Sequence, residues 1–317
     1  DEPSSNLDSD SIADLRETVA YLKSTGKTVI LSEHRLYYMH GIADRYIYIK
    51  DGKIVGDYTA EQFECISEAE RRRMGLRTNR LSALTFNDGT LHSPISAQLS
   101  DLCFAYKNAP KTLKIASANI PYGGIVGIIG HNGAGKSTFS RCFCGLEKRC
   151  GTVTVNGISY RSRERLKRCY MVMQDVGHQL FTESVLDEVL ISMAEENEKD
   201  AAAILERLDL AALSDRHPAS LSGGQTQRLA IASAVAAERS VIFLDEPTSG
   251  LDYRHMMEVA ELLKALRASG KTVYVITHDP ELICECCTDI IHLENGDIKE
   301  TYPMNAEGAD KIRLFSA

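Results

Sequence analysis

The stretch "GIVGIIGHNGAGKST", residues 124–138, decides the fold of this sequence. Its apolar run at residues 125–129 predicts a buried strand. The run leads directly into the pattern G-x-x-x-x-G-K-S at residues 130–137. A strand before this pattern and a helix after it form the context that a phosphate-binding loop requires. The stretch therefore predicts a nucleotide-binding α/β protein rather than a Gly-rich turn without a ligand.

Each residue type in this loop has a chemical reason. Gly130, Gly133 and Gly135 allow backbone N–H groups to curl around phosphate oxygens, and the following helix turns its positive end toward the same place. Lys136 is predicted to reach the β and γ phosphates. The Ser137 hydroxyl is predicted to bind Mg²⁺.

A second apolar strand, "VIFLDE" at residues 241–246, ends in two carboxylates. Asp245 suits the coordination shell of Mg²⁺, and Glu246 suits polarisation of an attacking water. An acidic pair at the end of a strand is weak evidence alone. After a phosphate loop, it predicts hydrolysis of a nucleoside triphosphate.

Composition limits the remaining possibilities. The 317 residues are 44% apolar, enough for a sizeable core. The net charge of -8 provides no global attraction to nucleic acid, and no apolar run approaches the roughly 20 residues of a spanning helix. Nine cysteines without secretory features indicate reduced thiols. Because the chain begins with Asp1 and not Met, we expect a fragment or a processed protein.

An internal repeat relates the two ends of the chain. "DEPSSNLD" at residues 1–8 returns as "DEPTSGLD" at residues 245–252, an offset of 244. The same offset relates "GKTV" at residues 26–29 to residues 270–273, and it also pairs His34 with His278 and Gly52 with Gly296. The repeat predicts a duplicated domain, of which the sequence holds only the last part of the first copy.

Three segments follow from the repeat: the end of a first copy at residues 1–60, a linker at 61–95 and a complete second copy at 96–317. In the first copy we expect a helix at Ile12–Lys23 and strands at "TVILS" (28–32) and "YIYI" (46–49). The linker has balanced charges, which favours a solvated helix over an RNA-binding arm.

The signature "LSGGQ" at residues 221–225 resembles that of the ATP-binding cassette (ABC) ATPases. Three further residues match motifs of that family in order and spacing. Gln174 in "MVMQD" resembles the Q-loop glutamine, His278 the switch histidine, and Tyr106 the aromatic residue that stacks on adenine. "SGLD" at residues 249–252 resembles the D-loop. The resemblance covers nearly all of residues 96–300 and implies a phosphate-loop fold with a helical signature subdomain.

The resemblance also assigns the site, with ATP and Mg²⁺ as the implied cofactors. It implies catalytic roles for Glu246, His278, Lys136 and Gln174, and Mg²⁺ contacts from Ser137, Gln174 and Asp245. The equivalent positions of the first copy are Asp1, Glu2, Asp8 and His34. The implied nucleotide contacts are Tyr106, Gly130, His131, Asn132, Gly133, Ala134, Gly135, Lys136, Ser137, Thr138, Ser222, Gly223, Gly224, Gln225 and Asp252.

In such ATPases two cassettes face each other head to tail and enclose ATP between the phosphate loop of one and the signature of the other. We therefore expect a second ABC ATPase domain as a partner, either the rest of the first copy or another copy of this chain. Since Glu2 and Glu246 are both present, we expect hydrolysis at both composite sites of the parent protein. The sequence given, with half of each site, is expected to bind ATP weakly or to dimerise.

"QDVGHQLFTESVLDEV" at residues 174–189 and "SEHRLYYM" at 32–39 resemble the ATPases of energy-coupling factor and cobalt-type importers. This resemblance implies transmembrane transporter subunits as partners, the cytoplasmic face of the membrane as location, and a vitamin or transition-metal ion as cargo. Two alternatives are open: a soluble tandem ATPase acting on ribosomes or nucleic acid, and a module that uses ATP only for assembly. The neutral linker and acidic pI speak against nucleic acid, and Glu246 with His278 speaks for turnover.

Overall fold

The computed structural model describes residues 1–5, 7–86, 93, 95–107 and 110–316. We number the strands and helices in chain order. The strands are β1 (Arg45–Lys50), β2 (Lys53–Thr59), β3 (Ile95–Ala105), β4 (Lys111–Tyr122), β5 (Ile125–Ile129), β6 (Thr152–Val155), β7 (Ile158–Tyr160), β8 (Cys169–Val172), β9 (Val241–Asp245), β10 (Thr272–Ile276), β11 (Asp289–Glu294) and β12 (Asp297–Pro303).

Helices alternate with these strands through most of the chain, and short 3₁₀ turns lie in some of the connections. The α-helices are α1 (Ser9–Ser24), α2 (Ala60–Glu64), α3 (Glu68–Arg73), α4 (Lys136–Cys144), α5 (Ser162–Arg168), α6 (Val185–Leu190), α7 (Glu198–Arg207), α8 (Gly223–Ala236), α9 (Tyr253–Ala268), α10 (Pro280–Cys286) and α11 (Ala306–Phe315). The 3₁₀ turns span Tyr37–Met39, Leu81–Ala83, Val176–His178, Ala211–Leu213 and Pro218–Ser220.

A six-stranded sheet in the order β12-β11-β5-β10-β9-β8 forms the centre of the fold. Its inner strands run parallel, and β12 pairs antiparallel with β11 at one edge. Every residue of β5, β9 and β10 is buried, as expected for parallel strands covered on both faces. The α/β fold expected from the phosphate-loop pattern is thereby confirmed.

A second sheet, β4-β3-β6-β7, is antiparallel and covers one side of the central sheet. The core between them contains four aromatic side chains that lie against one another: Phe139, Phe143, Phe243 and Tyr274. Because Phe139 and Phe143 belong to α4, this packing fixes the helix that follows the phosphate loop.

The other face of the central sheet packs against α8 and α9 in a second core. Helix α8, which follows the signature, is buried along most of its length and contacts α6 and α7. Since neighbours surround it on several sides, α8 holds the signature at its N-terminus in a fixed place.

The offset of 244 also relates the secondary structure. Helices α1 and α9, strands β1 and β11, and strands β2 and β12 have bounds that differ by 244 at both ends. The bulge between Tyr48 and Ile49 in β1 matches the bulge between His292 and Leu293 in β11. The two segments therefore share local geometry as well as sequence.

One expectation for the N-terminal third is wrong, and a second holds only in part. Residues 27–33, which include "TVILS", form no strand, and Ile30 is 90% exposed. Its equivalent in β10, Tyr274, is fully buried because β10 lies between β5 and β9. A strand needs such neighbours to satisfy its backbone, and the described residues place none beside residues 27–33.

The linker is a solvated helix only in part, because most of α3 is exposed but two linker arginines are buried. Its helices α2 and α3 are short, and the side chains of Arg71 and Arg77 are 2% and 4% exposed. Arg71 donates hydrogen bonds to Glu68, Asn79 and the Ile66 carbonyl. Balanced charge predicted solvent exposure, which holds for Arg72 and Arg73, whereas the charges of Arg71 and Arg77 are satisfied by buried protein groups.

Candidate nucleotide-binding site

The phosphate loop joins β5 to α4 in a conformation that glycine makes possible. Gly130 has φ +151, and a Cβ there would lie 2.3 Å from the Leu293 carbonyl oxygen. Gly135, with φ +100, is the residue directly before α4, so the helix begins at Lys136. The N-terminus of α4 therefore lies at the loop, where its free N–H groups favour an anion.

The Lys136 ammonium lies inside the loop. Its Nζ donates to the carbonyl oxygens of Gly130 at 2.6 Å and His131 at 3.1 Å, and it lies 3.0 Å from His278 Nε2. Burial lowers the pKa of Lys136, and burial with the positive charge of Lys136 lowers that of His278 to about 3. His278 is therefore a neutral imidazole whose Nε2 accepts from the ammonium.

Ser137 and Asp245 meet below the loop. The Ser137 hydroxyl donates to Asp245 Oδ2 at 2.8 Å. Burial raises the pKa of Asp245, and its bond from Ser137 and the charge of Lys136 oppose that rise only in part. Neighbouring groups balance the negative charge of the buried Asp245 carboxylate only in part. This carboxylate and the Ser137 hydroxyl together offer oxygen ligands, which Mg²⁺ prefers.

Glu246 lies beside this pair at the end of β9. It has φ +51, a conformation that non-glycine residues adopt at a cost. Burial raises its pKa to about 7. Its Oε2 accepts from the Thr277 hydroxyl at 3.3 Å and the His278 backbone N–H at 3.4 Å. Because His278 is neutral, its ring 3.8 Å from Glu246 Oε1 forms no ion pair.

These groups surround one cleft of about 210 Å³. Besides Thr112, the lining holds most of the residues predicted to act on phosphate: Asn132, Gly133, Gly135, Lys136, Ser137, Thr138, Gln174, Asp245, Glu246 and His278. Gln174 is at its solvent-exposed rim. Only Thr112 was not predicted, because nothing in its local sequence distinguishes it.

Tyr106 lies outside the cleft lining, near α4. It is 45% exposed, and its hydroxyl lies 3.4 Å from Thr138 Oγ1. Phe104 contacts its ring edge to face at 4.9 Å between centroids. An exposed aromatic ring beside the phosphate loop is suited to stacking on a nucleobase, as the sequence predicted.

The signature residues are not at the cleft of their own copy. Ser222 caps α8, and its backbone N–H donates to Gln225 Oε1 at 2.9 Å. Apart from its chain neighbours and its own helix, no atom of the described residues lies within 4 Å of a Cβ added at Gly223, so the start of the helix is open to an approaching group. Gly224 packs against Leu251. Asp252 accepts from the His255 N–H at 2.8 Å and caps α9.

Residues 1–10 contact the phosphate loop. The Asn132 backbone N–H donates to Asp8 Oδ2 at 2.6 Å, and His131 Nδ1 lies 3.1 Å from Asp10 Oδ2. Ser5 Oγ lies 2.7 Å from Ser249 Oγ, and these two serines are themselves separated by 244 positions. The N-terminal segment thus contributes a carboxylate to the phosphate loop.

The Glu2 and His34 pair resembles the pair in the second copy. His34 Nε2 lies 3.6 Å from Glu2 Oε1, and Glu2 has φ +42. The Glu2 backbone N–H donates to the Ser32 carbonyl at 2.8 Å, just as the Glu246 N–H donates to the Ile276 carbonyl at 2.9 Å. Asp1 is exposed and lies next to this pair in the chain.

Gln179 does not line the cleft but holds the backbone beside it, a role that the sequence interpretation did not assign. Its Nε2 donates to the Met171 carbonyl at 2.6 Å, and its Oε1 accepts from the Met173 N–H at 3.0 Å. These bonds hold the backbone just before Gln174. "QLF" was recognised as an element, but the target of its glutamine could not be predicted because the segment folds back on the strand before it.

None of the helices in the described part of the chain combines the length and apolar character needed to cross a bilayer. A family model described as ABC transporter matches residues 113–249. An ABC transporter ATP-binding protein of Treponema denticola is 40% identical over 305 residues, which are 94% of this chain and 62% of that protein. The chain spans less than two thirds of the length of this relative and of a second one from the same organism.

Solved structures of ABC cassettes share the fold of this chain. A dimeric bacterial ABC transporter cassette is 30% identical, with a TM-score of 0.58 over 66% of this chain and 99% of that one. The cbiO1 protein from Clostridium perfringens, part of the ABC transporter complex cbiONQ, is 28% identical, with a TM-score of 0.57 over 68% of this chain and 91% of that one. With the phosphate loop, the acidic pair and the signature in place, this chain belongs to the ATP-binding cassette ATPases.

Proposed function

We propose that this chain is part of the ATP-hydrolysing subunit of an ABC transporter, in which two cassettes close on ATP and drive transport. The observation that carries the proposal is the contact of Asp8 with the Asn132 N–H, because it brings residues of both copies to one phosphate loop. A cassette held by its neighbour at the loop that binds ATP can couple nucleotide binding to domain closure.

The side chains around the cleft have different roles in ATP hydrolysis. Loop N–H groups and Lys136 bind the phosphates and balance the negative charge that develops on the γ-phosphate. Glu246, when ionised, orients the attacking water and accepts its proton. Neutral His278, in the tautomer with its proton on Nε2, is positioned to donate to a phosphate oxygen once ATP replaces the present contact of Nε2 with Lys136.

Mg²⁺ fits the oxygens of Ser137 and Asp245, which lie together below the loop. When bound there with Gln174 as a further contact, it would neutralise phosphate charge. The buried Asp245 carboxylate already lies beside the Ser137 hydroxyl, so the oxygens of both residues are in place to bind the ion. Gln174, at the rim, is free to approach from the solvent side.

We also propose that residues 1–60 end a first ABC domain, that 61–95 link the copies and that 96–317 form the second. The shared offset of secondary structure and the Ser5–Ser249 contact support this. Equivalent residues that meet each other indicate a pseudo-twofold axis between the copies. The signature and phosphate loop of the first copy would complete both sites and make Asp252 the counterpart of Asp8.

A membrane partner is supported by the surface near Gln174. Phe181, in "QLF", is 73% exposed, which is unusual for a large apolar side chain beside an active site. The relative cbiO1 is part of an ABC transporter complex. We therefore propose transmembrane subunits that dock here, a peripheral location on the cytoplasmic face, and an importer of the energy-coupling factor type for a vitamin or transition-metal ion.

Co-purification tests this assignment. The full-length protein, tagged and extracted from membranes in mild detergent, is expected to carry transmembrane subunits, and a Phe181→Ser variant is expected to lose them. Ile158→Ser, an exposed apolar position in β7, is the matched control and should retain them. Recovery of ribosomes or nucleic acid in place of membrane subunits would contradict the transporter assignment and favour the soluble tandem ATPase.

A further inference from the structure

Arg77, in the linker, is a buried arginine that the hydrolytic site does not use directly. Its Nη1 donates to Asp279 Oδ2 at 2.6 Å. Its Nε and Nη2 donate to the Leu251 carbonyl at 3.1 and 3.0 Å, and Nη2 also lies 3.4 Å from the Thr248 carbonyl. All three guanidinium nitrogens are therefore bonded to protein groups.

These partners belong to the two loops that carry the reacting side chains. Thr248 and Leu251 lie between Glu246 and the start of α9, and Asp279 directly follows His278. The Thr248 hydroxyl also donates to Asp279 Oδ2 at 2.7 Å. Arg77 thus closes a buried network that fixes the position of the Glu246 loop relative to the His278 loop.

The backbone around Arg77 is anchored at the same place. The Thr78 N–H donates to Glu281 Oε1 at 3.1 Å, at the start of α10. The Tyr253 N–H, at the start of α9, donates to the Gly75 carbonyl at 3.1 Å. Because the linker is attached on both sides of Arg77, the guanidinium has little freedom to leave the network.

In the proposed first copy an arginine also bonds the equivalent carbonyl groups, but it stands at a different position of the sequence. Arg35 Nη1 donates to the carbonyls of Ser4 at 3.4 Å and Leu7 at 3.1 Å. With the offset of 244, these carbonyls are equivalent to those of Thr248 and Leu251, and Arg35 itself is equivalent to Asp279. In the first copy the arginine comes from the loop after the histidine. In the second copy that position is acidic, and the linker supplies the arginine.

We propose that Arg77 is a positioning residue for ATP hydrolysis at the second cassette. It binds the Glu246 and His278 loops together and connects both to the linker that leads from the first copy. This inference deepens the proposed function and rests on it for the statement that these loops hydrolyse ATP. A movement of the first copy would then reach the second site through the linker backbone.

The test compares Arg77→Gln with the wild type in the full-length protein by hydrogen exchange and steady-state ATPase kinetics. Amide exchange in residues 248–252 is expected to rise about tenfold, as for the loss of a hydrogen bond to a charged group. The kcat is expected to fall about tenfold with the KM for ATP within about twofold, since Arg77 does not line the cleft. Arg73→Gln, at an exposed linker arginine paired with Glu70, is the control.

Two double variants test whether Arg77 positions the two loops or only balances the charge of Asp279. Arg77→Gln with Asp279→Asn removes the buried unpaired carboxylate. If Arg77 only neutralised Asp279, this variant would regain wild-type exchange and kcat, which would overturn the proposal. Arg77→Gln with Asp279→Arg copies the arrangement of the first copy, and we expect it to recover protection of residues 248–252 relative to Arg77→Gln alone.

The outcomes also distinguish this inference from the proposed function. If the wild-type protein has no ATPase activity at the second site, the proposed function fails, yet the exchange comparison still tests Arg77. If exchange in residues 248–252 and kcat are unchanged in Arg77→Gln, the positioning role is wrong while the ATPase assignment stands.

Discussion

Glu246 combines two unfavourable features at one residue. Its backbone is left-handed at φ +51, and its carboxyl group is buried with a pKa near 7. A left-handed conformation costs a non-glycine residue about 1 kcal/mol. Glu2 has the same backbone handedness at the equivalent position. A carboxyl group that titrates near neutrality is well suited to accept a proton from water.

The first prediction concerns the pH dependence of the reaction. Because burial raises the pKa of Glu246 to about 7, most of this carboxyl is protonated at pH 6 and ionised at pH 8. We expect kcat/KM for ATP to rise about tenfold over this interval, since kcat/KM follows ionisation in the free enzyme. Steady-state ATPase assays of the full-length protein at constant ionic strength measure the rise.

Glu246→Gln is the control for this prediction. Its residual activity should be low and should lose the rise between pH 6 and pH 8. Stability provides a second measurement. A carboxyl whose folded pKa exceeds its unfolded value lowers stability as pH rises from about 4.5 through 7. The variant should therefore melt at a higher temperature than the wild type at pH 8, and equal melting would argue against a buried ionising group.

At the residue level, contiguous motifs were the predictable part of the site. Lys136 and Ser137 are neighbours in one loop, and Asp245 and Glu246 end one strand, so their roles follow from local sequence and spacing. Arg77 and Asp279 are 202 positions apart and share no motif. Their contact depends on where the linker lies against α9 and α10, which no local pattern specifies.

For helices and strands as well, the local sequence predicted only part of the structure. The helix at α1 and the strand at β1 were expected from periodicity, and both are present. "TVILS" has the composition of a strand and is none, because strand formation requires a neighbour to bond with. The composition of a segment indicates its tendency to form a strand, but the strand forms only where a neighbouring strand can bond with it.

The second prediction concerns the start of α9. The Asp252 side chain accepts from the His255 N–H and satisfies one of the free donors of the helix. Asp252→Ala is expected to lower the free energy of unfolding by about 1 kcal/mol. Asp252→Asn is the matched control, because asparagine caps as well as aspartate. Urea unfolding followed by circular dichroism measures both, and an Ala variant as stable as the wild type would contradict the capping role.

At the scale of the whole molecule, the contacts of residues 1–10 with the second copy were only partly predictable. The repeat predicted that the N-terminal segment belongs to a related domain. It did not specify that Asp8 would bond the Asn132 N–H or that Asp10 would lie beside His131. These contacts arise between two folded segments, and the sequence of each describes only its own local structure.

The third prediction separates the two proposed composite sites. In the full-length protein, Glu2→Gln and Glu246→Gln are each expected to lower ATPase activity severalfold, and the double variant is expected to lower it by at least about a hundredfold. ATP binding, followed by fluorescence of a labelled nucleotide, should persist in all three. If one single variant abolishes turnover and the other leaves it unchanged, only one site hydrolyses ATP.

The contact between Ser5 and Ser249 has a consequence for which residues can occupy it. When the same residue stands at two equivalent positions that touch, its side chain must be able to bond with its own kind, and a hydroxyl meets this condition because it both donates and accepts. Carboxylates at both positions would face like charge, and so would ammonium groups. Asp8 and Asn132 are not equivalent residues, so each can specialise. Identical residues at positions 5 and 249 are therefore limited to side chains that can bond with their own kind, and Asp8 and Asn132 have no such limit.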